Sequence, residues 1–149
     1  MKLPAMSVTL ARLLMPIVLF GLQSLPARAD ACPDTAQQYW RAFRTSVLQG
    51  DLTAITNASR FPFVVFSGIL DSDREEKSID REEFVKLFPA WLEADPGLSP
   101  TAATMKSLVE ATVRLTPLQC STATQFRVGD WVFRPASEGW RFVEVYTDE

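Results

Sequence analysis

The chain has 149 residues, 15 Lys plus Arg against 18 Asp plus Glu, and no histidine. Its length suits one domain. The missing imidazole excludes a Ser-His or Cys-His nucleophile pair, and the acidic balance gives no footprint for nucleic acid or anionic lipid.

The amino terminus carries Lys2 and Arg12 without an acid, then an uncharged run from Leu13 to Leu22. Ala27 and Ala29 follow in the small-x-small pattern that signal peptidase needs. A spanning helix needs roughly 20 apolar residues; this run is about half that and contains Pro16 and Gly21. Lipid attachment at Cys32 is disfavoured, because Ala29-Asp30-Ala31 lacks the apolar residue that attachment requires. Residues 1–29 are therefore expected to be a cleaved export leader, and residues 30–149 one mature domain, periplasmic or secreted, with no stable membrane insertion. The leader would take Lys2, Arg12 and Arg28, leaving 12 basic against 18 acidic residues, or −6.

Cys32 and Cys120 are the only cysteines. In an oxidising compartment an even count predicts a bridge. Its loop of roughly 90 residues would contribute about 4 kcal/mol through the unfolded state. Two thiols and no imidazole cannot complete a zinc site, so neither a metal nor a cofactor is expected.

Pro33-Asp34 with Gln37 predicts a helix start capped by Asp34. Tyr39 or Trp40, Phe43 and Val47 continue it, and Gly50 ends it. Asp51 should cap a short helix to about Ala58. Phe61 to Phe66 reads as a strand, with Pro62 confining its start to an edge or a strand beginning. Asp71 to Lys77 reads as a solvated turn. Within it Asp71, Asp73 and Glu75, with Glu82, fall at calcium-loop spacing, but Glu76 stands where that loop needs glycine. Asp80-Arg81-Glu82-Glu83 predicts a capping box opening a helix with Phe84, Leu87, Phe88 and Trp91 on one stripe. Pro89 should kink that helix, and Asp95-Pro96-Gly97 should stop it.

Ser99-Pro100 is expected to cap a helix through Met105, Leu108 and Val109. Strands are expected at Ala111 to Leu115 and Ser121 to Val128, with Gly129 as a bulge or bend. Asp130 to Arg134 and Trp140 to Tyr146 predict a hairpin. In its second arm, alternation places Trp140, Phe142, Glu144 and Tyr146 on one face and Val143 and Val145 on the other. The pattern overall predicts an α+β domain, helices packed on a curved antiparallel sheet.

Three segments together resemble the NTF2-like (SnoaL-like, cystatin-like cone) superfamily, and more narrowly its small exported bacterial members. They are the helix from Trp40 into Gly50-Asp51, Arg60-Phe61-Pro62-Phe63 entering a strand, and Val128-Gly129-Asp130-Trp131-Val132-Phe133 followed by Gly139-Trp140-Arg141-Phe142-Val143. The resemblance spans about residues 35–147 and implies a cone with a pocket at its open end. Members include isomerases, dehydratases, cyclases, and proteins that only bind or dimerise, so fold alone assigns no activity.

Without histidine, a proton-moving base would be a carboxylate or a tyrosine. Glu144 is the best candidate, because it interrupts an aromatic face. Tyr39, Tyr146 and Arg60 are the candidates to bind an oxyanion. The plainer reading has Glu144 at the rim or paired with Arg127 or Arg141, and Asp130 as a turn residue. The expected function is a non-enzymatic exported domain binding a small apolar ligand or a protein partner. The alternatives are a small-molecule isomerase or lyase with a carboxylate base, and a structural or homodimeric accessory module.

Overall fold

The computed structural model describes residues 32–68, 72–97, 101–120, 122 and 124–148. The expected leader, Asp71 and Ser99-Pro100 lie outside them. The described chain is α+β, with four helices and a five-stranded mixed sheet in one domain.

Helix α1 spans Asp34–Gln49 and turns its apolar stripe, Ala36, Trp40, Phe43 and Val47, inward. Pro33, not Asp34, is the N-cap, and Asp34 enters the first turn. Gly50 closes the helix at φ 68°, a left-handed conformation that costs glycine little. Helix α2, Leu52–Ala58, is capped by the Asp51 carboxylate, which accepts from Ala54 N–H at 2.9 Å. Strand β1, Ser59–Ser67, pairs antiparallel with β2, Glu75–Ile79. The last three residues of the expected turn, Glu75, Glu76 and Lys77, are thus strand.

Pro62 escapes the rule against proline in a paired strand because the β2 ladder begins only at Phe63, and pairing with the other neighbour is irregular between Ser59 and Val64. Helix α3, Arg81–Glu93, continues through Pro89. Asp80 caps it, accepting from Glu83 N–H at 2.9 Å. Phe84, Phe88 and Trp91 are buried as their spacing requires.

Helix α4 is Met105–Ala111, capped by Thr104 in a reciprocal box with Ser107. The expected strand at Ala111 to Leu115 does not form. Side chains of α1 take its backbone groups instead. Trp40 Nε1 donates to Thr112 O at 2.7 Å, Gln37 Nε2 donates to Leu115 O at 2.8 Å, and Leu115 N–H donates to Gln37 Oε1 at 3.1 Å. With those groups satisfied the segment needs no ladder.

Strand β3 is only Phe126–Val128; β4 is Trp131–Ala136 and β5 is Gly139–Thr147. The sheet order is β2-β1-β5-β4-β3. The hairpin joining β4 and β5 is present, but β1 runs parallel to β5, so the sheet is mixed where an antiparallel one was expected. Gly129 makes the turn into β4 at φ 56°, where an added Cβ would stand 2.7 Å from Met105 Sδ. Glycine is required there on both counts.

One register slip rearranges β5. Val132 pairs with Glu144 while Phe133 pairs with Phe142, leaving Val143 as the extra residue. Trp140, Phe142 and Val145 consequently join the core cluster. Glu144 and Tyr146 lie together on the opposite face, which corrects the expected grouping with Trp140 and Phe142: a bulge shifts the alternation by one. Helices α1, α2 and α3 pack on the inward face of the sheet, α4 packs against α1 and α3, and all four join one core cluster. Phe142 is its hub, with ring centroids 4.7 Å from Phe63, 5.0 Å from Phe133 and 5.2 Å from Trp131. The staple is present: Cys32 and Cys120 are bonded across a separation of 88 residues.

Candidate functional site

The sequence candidates do not converge on one pocket. Glu144 is 3 % exposed. Its Oε2 accepts from Arg134 Nη1 at 2.5 Å, and its Oε1 accepts from the Tyr146 hydroxyl at 3.0 Å. The cationic partner is Arg134, neither Arg127 nor Arg141. Tyr146 stacks on Phe66 at 4.9 Å, and the Arg127 guanidinium sits 4.7 Å from its ring centre. Burial, the Glu144 charge and their hydrogen bond push the Tyr146 phenol up, against the pull of Arg127 and Arg74.

Tyr39 belongs to the helix layer. Its hydroxyl donates to Ala58 O at 2.8 Å, and burial raises its pKa far above the usual phenol range, outweighing the opposing effects of the Phe142 backbone and Arg141. Arg60 is exposed at the start of β1. Of the four, only Glu144 and Tyr146 touch.

A different set of residues forms a groove of about 440 Å³ where α3 meets the ends of β1 and β5. Its apolar wall is Val65, Leu87, Ala90, Trp91 and Ala94. Its rim carries Asp95, Asp130, Tyr146 and Asp148. That size falls within the roughly 300–1,000 Å³ of small-molecule sites. The α3 stripe explains the wall: Phe84, Phe88 and Trp91 face the core, and Leu87, one step around the helix, is left half-buried beside it. A wider hollow of about 780 Å³, between Phe61-Pro62 and Ser78 to Glu83, is an open depression lined mainly by exposed polar residues.

The groove deepens into a gap of about 10 Å³ bounded by Trp91, Met105, Asp130, Trp131 and Val145. Trp131 is fully buried, yet its indole N–H has no acceptor among the described residues. A buried donor left unpaired costs about 1–3 kcal/mol. At the rim, Asp130 lies against Gly97, where a Cβ would be 3.2 Å from both carboxylate oxygens. Asp95 Oδ1 accepts from Gly97 N–H at 2.8 Å. Burial raises the Asp130 carboxyl above its ordinary range, Asp148 and Asp95 push it further, and Arg127 opposes them.

No protein-family model, curated protein or solved structure matches this chain significantly. Function is therefore read from the residues themselves. Among the described residues, no three acidic, thiol or imidazole side chains could hold a metal ion together, and no helix is long and apolar enough to cross a membrane. Of Glu144, Tyr39, Tyr146 and Arg60, only Tyr146 lines this groove. Leu87 and Trp91 looked like core stripe and Asp130 like turn. The available signal was an acid in each of two glycine-containing turns, Asp95-Pro96-Gly97 and Gly129-Asp130, that the fold brings to one end.

Proposed function

We propose that this is an exported, periplasmic or secreted, non-enzymatic domain of NTF2-like type that binds a small, largely apolar ligand in the groove between α3 and β5. The observation that carries this reading is an apolar groove of ligand size, adjoined by a small gap that Trp131 borders, its buried indole donor without an acceptor among the described residues. Native polar groups are almost always paired, so an orphan beside a cavity marks a place where something else completes the structure. The disulfide is consistent with an oxidising compartment. One helix layer on one sheet face, with an opening at its end, suits the cone.

The position of Glu144 favours binding over carboxylate-base chemistry. Its charge is matched by Arg134, its second oxygen is taken by Tyr146, and it does not line the groove. A general base needs a free oxygen within reach of substrate.

Native mass spectrometry of the protein recovered from its own host tests the reading. We expect a co-purifying small molecule, lost when Leu87→Trp fills the groove. Bare chain mass in both proteins, or a ligand retained by the folded Leu87→Trp variant, would overturn it.

A further inference from the structure

Trp131 borders the gap of about 10 Å³ together with Asp95, Asp130 and Thr147. None of their side-chain oxygens takes its fully buried N–H. Asp95 Oδ1 accepts from Gly97 N–H instead, and Thr147 Oγ1 donates to Phe66 O at 3.3 Å. A volume of that order has room for one water-sized oxygen. Trp91, Ala94, Asp130 and Tyr146 border both the gap and the groove, so the gap adjoins the groove and is not a separate void.

A buried donor calls for an acceptor, and the surroundings restrict its chemistry. No basic side chain is among the lining residues of the groove or the gap. Arg74 and Arg127 face the Tyr146 ring and line the neighbouring hollow. A carboxylate brought to Trp131 would lose its hydration and gain no cation in the lining, which is costly. An ammonium offers no acceptor at all. A neutral carbonyl, ether or hydroxyl oxygen meets both conditions.

We propose that the groove binds a neutral, largely apolar molecule bearing an oxygen acceptor, its apolar body against Leu87, Ala90 and Trp91 and its oxygen in the gap, accepting from Trp131 Nε1. This rests on the binding reading above and adds the class of ligand.

Benzylacetone, isopentylbenzene and hydrocinnamate separate the class of ligand from the groove itself. They share a phenethyl group and nearly one shape, but offer a neutral acceptor, no acceptor and an anionic acceptor. Each is titrated into the oxidised, nitrogen-labelled protein and followed through the indole N–H signals. Benzylacetone is expected to move the Trp131 signal downfield, as a newly accepted hydrogen bond does, and isopentylbenzene to bind without that shift. Hydrocinnamate should bind more weakly than benzylacetone. Trp131→Phe keeps an aromatic ring and removes the donor. It should weaken benzylacetone about fivefold relative to isopentylbenzene, the effect of one lost neutral hydrogen bond. Should that variant unfold, the Trp131 signal of the unaltered protein still decides. Equal Trp131 shifts with benzylacetone and isopentylbenzene, equal losses for the two in the folded variant, or tightest binding by hydrocinnamate overturns the neutral-acceptor class while leaving an apolar groove in place. No binding by any of the three overturns the groove as a site.

Discussion

The two ends of the molecule use the same aromatic residues and finish them differently. Around α1, indole donors have acceptors: Trp40 Nε1 bonds Thr112 O at 2.7 Å, and Trp140 Nε1 bonds Thr35 Oγ1 at 3.1 Å. Tyr39 has Ala58 O, and the Cys32–Cys120 bond closes that end. Where α3 meets β5, Trp131 is as deeply buried as Trp40 but its N–H is unpaired. Asp130 is held there in a setting that disfavours its charge. One end is completed by the chain; at the other a buried donor stays unpaired among the described residues. Natural folds break local rules mainly where function requires it, and the proposed binding function places recognition at the second end and leaves the first to stability.

The largest expected effect belongs to the closed end. Replacing both Cys32 and Cys120 with serine should cost about 4 kcal/mol in urea unfolding, given the long loop released, while leaving the affinity for a small apolar probe, phenethyl alcohol, unchanged in the folded fraction. A comparable loss of affinity would mean that the two ends are not separate.

The indoles allow a matched comparison. Trp40→Phe and Trp131→Phe remove the same volume from fully buried positions. The first also strands the Thr112 carbonyl, whereas the second deletes a donor that had no acceptor. Trp40→Phe should therefore be the more destabilising by about 1 kcal/mol in denaturant titration. Equal losses would remove the distinction.

The smallest effect concerns Asp130. Its folded pKa is raised, so the native state binds the proton more tightly than the unfolded chain does. Its contribution to stability falls as pH rises from the ordinary carboxylate range through the raised value, and the penalty is fully present at neutral pH. Asp130→Asn should stabilise the ligand-free protein by up to about 0.5 kcal/mol at neutral pH, with the advantage vanishing in acid below the ordinary carboxylate pKa. Thermal melts across pH check this; a variant less stable at neutral pH would show the acid to be structural.

Much of the closed end was legible in the sequence, because its signals are local or countable. Two cysteines give one bridge, helical spacing placed Trp40, Phe43 and Val47, and paired strand runs around Ser137-Glu138 gave the hairpin. The open end depends on relations that local pattern does not carry. The parallel pairing of β1 with β5 joins segments some 80 residues apart, such as Val64 with Glu144. The extra residue at Val143 sends Glu144 to the outer face, so a candidate base chosen by strict alternation ends in an ion pair. Residues 111–115 look strand-like, and only the α1 side chains that occupy their backbone groups make them a loop.

The most direct test of the contrast is the indole N–H spectrum of nitrogen-labelled protein during titration with phenethyl alcohol. The chain has four tryptophans. The resonances of Trp91 and Trp131 should move in a saturable way while those of Trp40 and Trp140 stay in place. Movement of Trp40 or Trp140 instead, or a spectrum unchanged at saturating ligand, would contradict the account.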